Sequence, residues 1–398
     1  MKELSAIAKS VQASPTMAID AMFKQMRADG EDVIGFAAGE PDFNTPDHIK
    51  KAAVQAIEEN FTRYTPAAGI LPLKQAICDR VHADLGDKVC YAPEQVVVSS
   101  GAKHVLYLAL RAITNPGDEI VIFTPGYVSY FEMVRMVGGV PVNVPTLEEN
   151  GFKPVPAEFE AVITPKTKAV IFNSPGNPTG AVYDESELQA LADICVKHDL
   201  YIISDEIYNC LVYDGKPYTS MAVLGPQVRE RLILVNGVSK AYAMTGWRIG
   251  YGLTTKEIAK VMSNYVSQST GSPCAISQKA ALEGLTASQD LVGTMREAFQ
   301  ARRDYMVSRI NAIDKVSCIK PEGAFYVMMN IKKLLGTTIG GSRIKSGEDF
   351  AKALLTQGKV ALIPGEGFCA PGYVRWTYAA SMENIKEGMD RLERFLAQ

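Results

Sequence analysis

A lysine and an arginine eight residues apart are the residues of this sequence that point most directly to chemistry. Lys240 closely follows the apolar run 232–235, where a buried strand would deliver its side chain to a site, and Arg248 comes later in the same segment. A lysine held away from bulk water loses part of its preference for the charged form, so its amine can act as a nucleophile or a base. Such lysines form Schiff bases with carbonyl compounds. On its own, a lysine is more often a surface charge, so the rest of the chain must decide.

Three polar segments directly follow predicted strands. They are SSGAK at 99–103, NSPGNPTG at 173–180 and SDEIY at 204–208. In parallel α/β sheets, ligands bind beyond the carboxyl ends of the strands, where helix N-termini offer free N–H groups to phosphate. Turns rich in glycine and proline can also be purely structural, and Asp205 is also compatible with a helix cap. A carboxylate at the end of a buried strand nevertheless needs a cationic or donor partner.

The elements that must position these segments alternate between strand-like and helix-like patterns from about residue 45 to 290. Helical patterns start at Thr45 and Pro46, cover 105–113, start again near Ser129, and follow a capping box at 184–187. Short apolar runs predict strands at 96–98, 119–123, 169–172, 201–203, 232–235 and 249–253. Near-continuous apolar strands separated by helices are typical of a mostly parallel sheet covered by helices on both faces.

The C-terminal third has a different pattern. A helix-rich stretch from about 275 to 312 leads to isolated strands near 324–329, 360–363 and 374–378. This pattern predicts a smaller α+β domain, to which the first 45 residues are added. We therefore expect an α/β protein with a large domain over 46–290 and a small domain formed by 1–45 and 291–398.

Composition argues against several classes of protein. The 398 residues carry a net charge of −3 with 47% apolar and 21% charged residues, so no basic excess favours nucleic acid. The first residues lack the apolar stretch of a signal peptide, and no segment approaches the ~20 apolar residues of a membrane span. We therefore expect a protein with no nucleic-acid or membrane partner.

Cysteine and histidine are scattered without metal-binding or disulfide spacing. The seven cysteines form no Cys-x-x-Cys pair, and the four histidines lie far apart. Reduced thiols in the cytoplasm fit this pattern better than a disulfide framework or a zinc site. We expect no metal held by the protein's own ligands.

Six ordered motifs together resemble the class I aminotransferases, which are pyridoxal-phosphate enzymes of fold type I. The likeness is closest to the bacterial aspartate aminotransferase branch, and it covers essentially the whole chain. The motifs are GEPDF at 39–43, RYTP at 63–66, NPTG at 177–180, DEIY at 205–208, GVSKAYAMTGWRIG at 237–250 and GAFY at 323–326. The resemblance implies pyridoxal 5'-phosphate as the cofactor, with an amino acid and a 2-oxo acid as substrates.

The resemblance implies a role for each of the motif residues that meet the cofactor. Lys240 forms the Schiff base with pyridoxal phosphate and later moves a proton between the substrate Cα and the cofactor. Asp205 pairs with the pyridine nitrogen and keeps it protonated, so the ring can take up electrons. Asn177 and Tyr208 donate hydrogen bonds to the 3'-oxygen of the cofactor and stabilise its anionic form.

The resemblance also implies a phosphate site. Arg248 holds the phosphate together with backbone N–H groups, and Ser239 adds a hydroxyl. The backbone donors belong to Gly101, Ala102 and Lys103. The family's serine three positions before the lysine is Gly237 here, which removes one donor.

Substrate binding is implied at five positions. Arg375, in VRWTY at 374–378, binds the α-carboxylate through two parallel hydrogen bonds, although an arginine in a strand-like run is by itself more often a surface residue. Gly39 and Asn177 lie beside the same carboxylate, and Lys103 pairs with a distal carboxylate. Tyr127 replaces the tryptophan that usually stacks on the ring in this branch, which changes the pocket beside the substrate.

Tyr64 implies a homodimer with shared active sites, since in this family it reaches the phosphate of the neighbouring subunit.

The leading hypothesis is an aminotransferase that passes the amino group of L-aspartate to 2-oxoglutarate by a ping-pong route. An aminotransferase for aromatic or small neutral amino acids is the nearest alternative, and a lyase on the same scaffold is a further one. A non-catalytic domain fused to a DNA-binding module is disfavoured, because no basic module of ~60 residues precedes Gly39.

Overall fold

A seven-stranded sheet forms the centre of the molecule. The computed structural model describes residues 2–11 and 16–398. Six of the strands run parallel to one another, and one runs antiparallel between two of them. In spatial order the strands are Val96–Ser99, Gly250–Leu253, Leu232–Gly237, Tyr201–Asp205, Thr167–Asn173, Glu119–Thr124 and Val140–Pro145.

Helices connect and cover the strands. The α-helices are Ala6–Ser10, Thr16–Ala28, Asp47–Glu58, Leu71–Leu85, Ala102–Ile113, Val128–Met136, Pro156–Ala161, Glu185–Lys197, Pro226–Arg229, Val238–Ala241, Lys256–Ser269, Ala275–Thr286, Asp290–Asn311, Gly347–Gly358 and Met382–Leu396. Short 3-10 turns span Pro93–Gln95, Glu148–Asn150, Met221–Leu224, Thr245–Trp247, Lys332–Leu334 and Gly365–Phe368. Within the described part of the chain, no helix combines the length and apolar character needed to cross a bilayer.

Consecutive residues of the central strands enter two different cores. Val98 and Ile202 belong to one apolar cluster, whereas their neighbours Val97 and Ile203 belong to another. Side chains alternate between the faces of a sheet, so apolar residues at successive positions need a cover on both faces. This arrangement confirms the predicted fold class, a mostly parallel sheet covered by helices on both faces.

Two strands of the central sheet differ from the sequence expectation. Gly250–Leu253 runs antiparallel to both of its neighbours, because only 12 residues separate it from Leu232–Gly237 and contain no crossover that would allow a parallel return. Val140–Pro145 forms an edge strand that the sequence analysis did not predict. Its prolines and half-exposed residues lack the apolar pattern by which the inner strands are found.

The C-terminal part contains a second, antiparallel sheet. Its strands, in spatial order, are Ile363–Pro364, Tyr373–Thr377, Tyr326–Asn330 and Ser317–Cys318. Two smaller pairs join Ile34–Gly35 to Val360–Ala361 in parallel and Thr338–Ile339 to Ser342–Arg343 antiparallel. The predicted C-terminal strands are therefore present, and the N-terminal region adds one strand to this part.

The apolar core changes between two successive helices. Ala281 and Leu285 of Ala275–Thr286 pack into a core beneath the central sheet, whereas Met295 and Phe299 of Asp290–Asn311 pack into the C-terminal core. The division into 46–290 and 1–45 with 291–398 stays a prediction, which this change of core supports. Residues 1 and 12–15 of the predicted small domain lie outside the described residues.

Of two helix starts predicted from local sequence, one has the predicted cap and the other does not. The Asp184 carboxylate accepts the Glu187 N–H at 3.0 Å and completes the predicted capping box. Thr45, in contrast, caps no helix: Pro46 takes the cap position, and the Thr45 hydroxyl donates to the Ala243 carbonyl at 2.7 Å. The hydroxyl makes this tertiary hydrogen bond instead of accepting one from an N–H of the first helical turn, and the bond joins the start of the Asp47–Glu58 helix to the loop after Lys240.

The close packing of Gly250 gives a first prediction. A Cβ atom at Gly250 would collide with backbone atoms of Gly101 and Ala102, whereas one at Gly246 would meet nothing within 4 Å. We expect Gly250→Ala to lower the free energy of unfolding by about 1–3 kcal/mol, because backbone cannot move aside as a flexible side chain can. Urea denaturation measures the change, and Gly246→Ala is the matched control. Equal midpoints for the two variants would contradict this packing.

Candidate active site

A cavity of about 480 Å³ lies at the carboxyl ends of the parallel strands and collects nearly all the predicted residues. The loop 37–39 and the C-terminal sheet residues Tyr326 and Arg375 form its other walls. The predicted site residues that line it are Gly39, Ala102, Lys103, Tyr127, Asn177, Asp205, Tyr208, Ser239, Lys240, Arg248 and Arg375. Gly101 and Tyr64 are the two predicted residues that do not line the cavity.

Lys240 reaches the cavity from the short helix Val238–Ala241, which directly follows a fully buried strand. Its ammonium donates to the Gly39 carbonyl and lies 5.9 Å from the ring centre of Tyr208. Loss of solvation lowers the pKa of Lys240 to about 8, and the charges of Arg248 and Arg375 act in the same direction. A substantial fraction of this amine is therefore uncharged at mildly alkaline pH and able to attack a carbonyl carbon.

Asp205 is the last residue of a buried strand, and its side chain is 4% exposed. Its carboxylate accepts hydrogen bonds from the Tyr130 hydroxyl at 2.7 Å and from the Ile207 N–H at 3.3 Å. Burial raises its pKa to about 6, against the effect of these two bonds and of the Lys240 charge. The helix-cap interpretation of Asp205 is wrong, because a turn rather than a helix follows the strand.

Two tyrosines stand together on another wall of the cavity. The hydroxyl oxygens of Tyr208 and Tyr326 are 2.8 Å apart, and burial raises the pKa of both phenols. The Tyr208 ring also packs edge-on against Phe325 at 5.3 Å. Both phenols therefore remain neutral hydrogen-bond donors near neutral pH.

The start of the Ala102–Ile113 helix lies beside the Arg248 guanidinium, an arrangement that suits an anion. The N–H groups of Ala102 and Lys103 have no partner among the described residues, as expected for the first turn of a helix. The Gly101 N–H, in contrast, donates to the Ser99 carbonyl at 2.7 Å, so its predicted role at the phosphate stays a prediction. Gly101 also lies so close to the Arg248 guanidinium that a Cβ atom there would collide with it.

Arg375 is a buried guanidinium with no carboxylate partner in the described structure. It is 6% exposed, and it donates to the Asn177 Oδ1 at 3.0 Å and to the Ala37 carbonyl at 2.7 Å. Its Nε has no hydrogen-bond partner, and desolvation lowers the pKa of the group. A buried charge without a counter-ion is costly, so this arrangement fits a site that an anion completes.

The remaining predicted residues lie at the mouth of the cavity or away from it. The Lys103 ammonium lies 5.5 Å from the ring centre of Tyr127, in cation–π contact. Tyr64 is 99% exposed, as expected for a side chain whose predicted contact belongs to another subunit. No group of His, Cys, Asp and Glu suited to a metal occurs among the residues described.

The arrangement fits pyridoxal phosphate. A lysine amine of lowered pKa suits its aldehyde, and a buried carboxylate without an ion-pair partner suits a protonated ring nitrogen. The free N–H groups of the helix start, beside the Arg248 guanidinium, suit its phosphate. The unpaired Nε of Arg375 suits the carboxylate of an amino acid.

Comparison with known proteins agrees with this chemistry. A sequence model of the family described as "Aminotransferase class I and II" matches residues 31–392. An aspartate aminotransferase of Bacillus subtilis (strain 168) is 44% identical over 98% of each chain. An aspartate/prephenate aminotransferase of Cereibacter sphaeroides is 46% identical over 100% of this chain and 99% of its own.

Solved structures of aminotransferases share the fold of this chain. The aspartate aminotransferase of Rhizobium meliloti superimposes with a TM-score of 0.95 at 38% identity, over 100% of this chain and 99% of that one. The enzyme of Thermus thermophilus with maleate has a TM-score of 0.93 at 41% identity over 100% of both chains.

The chain belongs to the class I and II aminotransferases. It is therefore an enzyme that depends on pyridoxal phosphate and transfers amino groups, which confirms the predicted family, cofactor and reaction type. The relatives that match over the full length are named as aminotransferases, which favours this activity over the lyase and the non-catalytic DNA-binding domain.

Sequence reasoning missed three residues of the site. Tyr130 donates to the Asp205 carboxylate. Tyr326 contacts the Tyr208 hydroxyl, and its ring lies against the Arg375 guanidinium. The Asn173 amide donates to the Asp205 carbonyl, and its Oδ1 accepts the Asn177 N–H. Tyr326 belongs to the GAFY motif at 323–326 and Asn173 to the NSPGNPTG segment at 173–180, but neither residue was given a role. Tyr130 follows three positions after Tyr127, the residue that caps the Val128–Met136 helix, and the centres of the two rings are 5.4 Å apart.

The site geometry predicts how Lys240 titrates. In the cofactor-free protein we expect competitive acetylation to give this amine a midpoint near pH 8, with reactivity rising as the pH rises and the proton leaves. Arg375→Met should raise the midpoint because it removes a like charge, and Glu40→Gln should lower it because it removes an attractive one. Peptide mass mapping measures the acetylation. Shifts of the opposite sign would contradict this electrostatic account.

Proposed function

We propose that this aminotransferase passes the amino group of L-aspartate to 2-oxoglutarate by a ping-pong route. One observation carries the proposal: two cations, Arg375 and Lys103, line the same cavity, and neither forms an ion pair with a described residue. A dicarboxylate needs two such positions, one for each carboxylate. The Thermus thermophilus relative was solved with maleate, a dicarboxylate, which supports the same choice.

Arg375 binds and orients the α-carboxylate in this proposal. The Asn177 Oδ1 and the Ala37 carbonyl hold two of its nitrogens, so the planar fork is fixed before the substrate arrives. The ring of Tyr326 lies 4.4 Å and that of Phe368 5.1 Å from the guanidinium carbon, and both exclude water from its faces. A guanidinium held in this way loses little conformational freedom when the substrate binds, so little of the binding free energy is lost in ordering it.

Lys240 moves the proton in this proposal. When bound, pyridoxal phosphate supplies a ring that withdraws electrons from the carbon bearing the amino group, so that this carbon becomes acidic. The Lys240 amine takes that proton and returns it to a neighbouring position, which requires the neutral amine that its lowered pKa provides. Its contact with the Gly39 carbonyl restricts where the amine can rest.

The remaining side chains hold charge in place. Asp205 keeps a proton on the ring nitrogen, and Asn177 with Tyr208 donates to the ring oxygen. Arg248, Ser239 and the Ala102–Ile113 helix start anchor the phosphate, and Gly101 is expected beside it. Ser239 is 6% exposed and lines the cavity, which suits a fixed hydroxyl donor.

A second candidate substrate class is favoured by Tyr127. This ring lines the cavity beside Lys103 and packs edge-on against Tyr130 at 5.4 Å. Because a phenol is smaller than an indole, it leaves more room beside the substrate for an aromatic or small neutral side chain. The Cereibacter sphaeroides relative, named for aspartate and prephenate, makes prephenate a useful acceptor to include in a substrate panel.

We further propose a homodimer with shared active sites. Tyr64 is 99% exposed, and it lies in a chain segment with three more exposed apolar residues, Val54 at 53%, Ile57 at 52% and Leu71 at 64%. Exposed apolar residues gathered in one segment are typical of an interface between proteins. A second copy of the chain is the occupant we propose, with Tyr64 reaching the phosphate site of its partner.

A cytoplasmic location is also proposed. All seven cysteines are free thiols in the structure, and three of them are buried. Unpaired thiols are typical of proteins kept under reducing conditions.

The substrate proposal predicts a selective effect at Lys103. Wild-type protein with pyridoxal phosphate should form oxaloacetate from aspartate and 2-oxoglutarate, and Lys103→Ala should lower kcat/KM for aspartate by about tenfold. Alanine has no distal carboxylate, so its kcat/KM should change little. A coupled malate dehydrogenase assay measures the first rate, and pyruvate formation the second.

The control for this prediction is Lys260→Ala on the Lys256–Ser269 helix, which does not line the cavity. Equal losses for aspartate and alanine in Lys103→Ala would contradict the distal-carboxylate role. A wild-type preference for phenylalanine over aspartate would favour the second substrate class instead.

The shared-site proposal predicts complementation between two inactive chains. We expect both Tyr64→Ala and Lys240→Ala to be impaired alone, whereas a dimer of the two contains one site with both residues intact. Unfolding and refolding the chains together should therefore restore activity above that of either parent. A mixture no more active than its parents, despite hybrid dimers seen by native mass spectrometry, would contradict the shared site.

A further inference from the structure

Tyr130 is a buried phenol to which neither the sequence motifs nor the proposed function gives a role. It is the third residue of the Val128–Met136 helix and is 3% exposed. Its ring packs in the same core as Ile171 and Ile203 of the central strands, and edge-on against Tyr127 at 5.4 Å. These contacts fix the ring, so the direction of its hydroxyl is fixed as well.

The hydroxyl of Tyr130 donates to Asp205 Oδ2 at 2.7 Å, the shorter of the two hydrogen bonds to this carboxylate. The other is the Ile207 N–H at 3.3 Å from Oδ1. Each carboxylate oxygen therefore accepts one hydrogen bond, the shorter one at Oδ2, and each has a further lone pair with which to accept another. The phenol thus both stabilises the carboxylate and sets its rotation about the Cβ–Cγ bond.

The other charged or titratable groups near Asp205 cannot replace this bond. Lys240 contributes attraction through space but donates its hydrogen bond to Gly39. The Glu206 carboxylate accepts hydrogen bonds from the Ser204 and Ser220 hydroxyls and from the Met221 N–H instead. Tyr208 and Tyr218 interact with Asp205 electrostatically, without a hydrogen bond to it. Burial strongly favours a neutral acid at this position, and Tyr130 is the only side chain in the described structure that opposes it by a direct hydrogen bond.

We propose that Tyr130 is a positioning residue that keeps the Asp205 carboxylate ionised and fixes its rotation towards the cofactor. The proposal rests on the proposed role of Asp205 at the ring nitrogen. Without the phenol, the buried acid would hold its own proton more tightly and would hold a proton on the ring less tightly. The ring would then withdraw electrons less strongly, and the cofactor-bound nitrogen of Lys240 would become more basic.

The test compares the holoenzymes of wild type, Tyr130→Phe and Tyr373→Phe. Tyr373 is a matched control, since it is 6% exposed and donates to the Glu148 carboxylate at 2.8 Å, and it does not line the cavity. The readout is the pH midpoint of the cofactor absorbance band. We expect the midpoint in Tyr130→Phe to lie higher by about one pH unit, a tenfold change in proton affinity, and the midpoint of Tyr373→Phe to equal that of wild type.

A second measurement needs no cofactor. In the cofactor-free full-length chains, the carboxyl ¹³C signal that disappears in Asp205→Asn reports the ionisation of Asp205 directly. We expect its pKa to be near 6 in wild type and higher by about one pH unit in Tyr130→Phe. This measurement also decides the case if Tyr130→Phe folds but binds the cofactor weakly.

The outcomes separate this inference from the proposed function. A wild-type protein without an absorbance band that is lost in Lys240→Ala would contradict the role of Lys240, whatever Tyr130 does. A normal band together with unchanged midpoints and an unchanged ¹³C titration in Tyr130→Phe would overturn the role of Tyr130 alone. Equal shifts in Tyr130→Phe and Tyr373→Phe would also overturn it, because they would indicate a general effect of losing a buried phenol.

Discussion

Charges held in a low-polarity cavity without ion-pair partners are the constraint on which the rest of this structure depends. Arg375 and Asp205 are each less than a tenth exposed, and neither forms an ion pair with a described residue. Burying such groups costs free energy that only hydrogen bonds and a bound ligand can offset. The protein therefore surrounds each charge with fixed neutral partners: Tyr130 for Asp205, and Asn177 with the Ala37 carbonyl for Arg375.

The parallel sheet brings these polar residues together, because the carboxyl ends of its strands meet at one edge. Asn173 and Asp205 are directly paired across neighbouring strands, and Lys240 follows the next strand after a single helical turn. The antiparallel strand that starts at Gly250 returns the chain against Gly101, so the proposed phosphate site lies where two elements nearly touch. The core on both faces of the sheet keeps these residues in register.

The C-terminal sheet supplies the other half of the site. Arg375 and Tyr326 lie on neighbouring antiparallel strands, and the guanidinium packs over the Tyr326 ring. Tyr326 in turn contacts Tyr208 of the central region, and Lys240 donates to Gly39 from the N-terminal region. The residues proposed for substrate recognition and proton transfer therefore come from parts of the chain that are far apart in sequence. Their relative placement is a matter of packing between two apolar cores rather than of any single segment.

The sequence by itself determined the strand–helix alternation, the fold class and the motif residues that line the cavity, because apolar periodicity and short motifs are local properties. Even so, it placed Thr45 as a cap and missed the edge strand Val140–Pro145, where tertiary contacts outweigh local pattern. Only the tertiary structure decided that Gly101 uses its N–H within the loop, that Arg375 lacks a carboxylate, and that Tyr130 meets Asp205. The bonds of Tyr130 and Arg375 join residues 75 to 338 positions apart, and no local periodicity encodes such contacts.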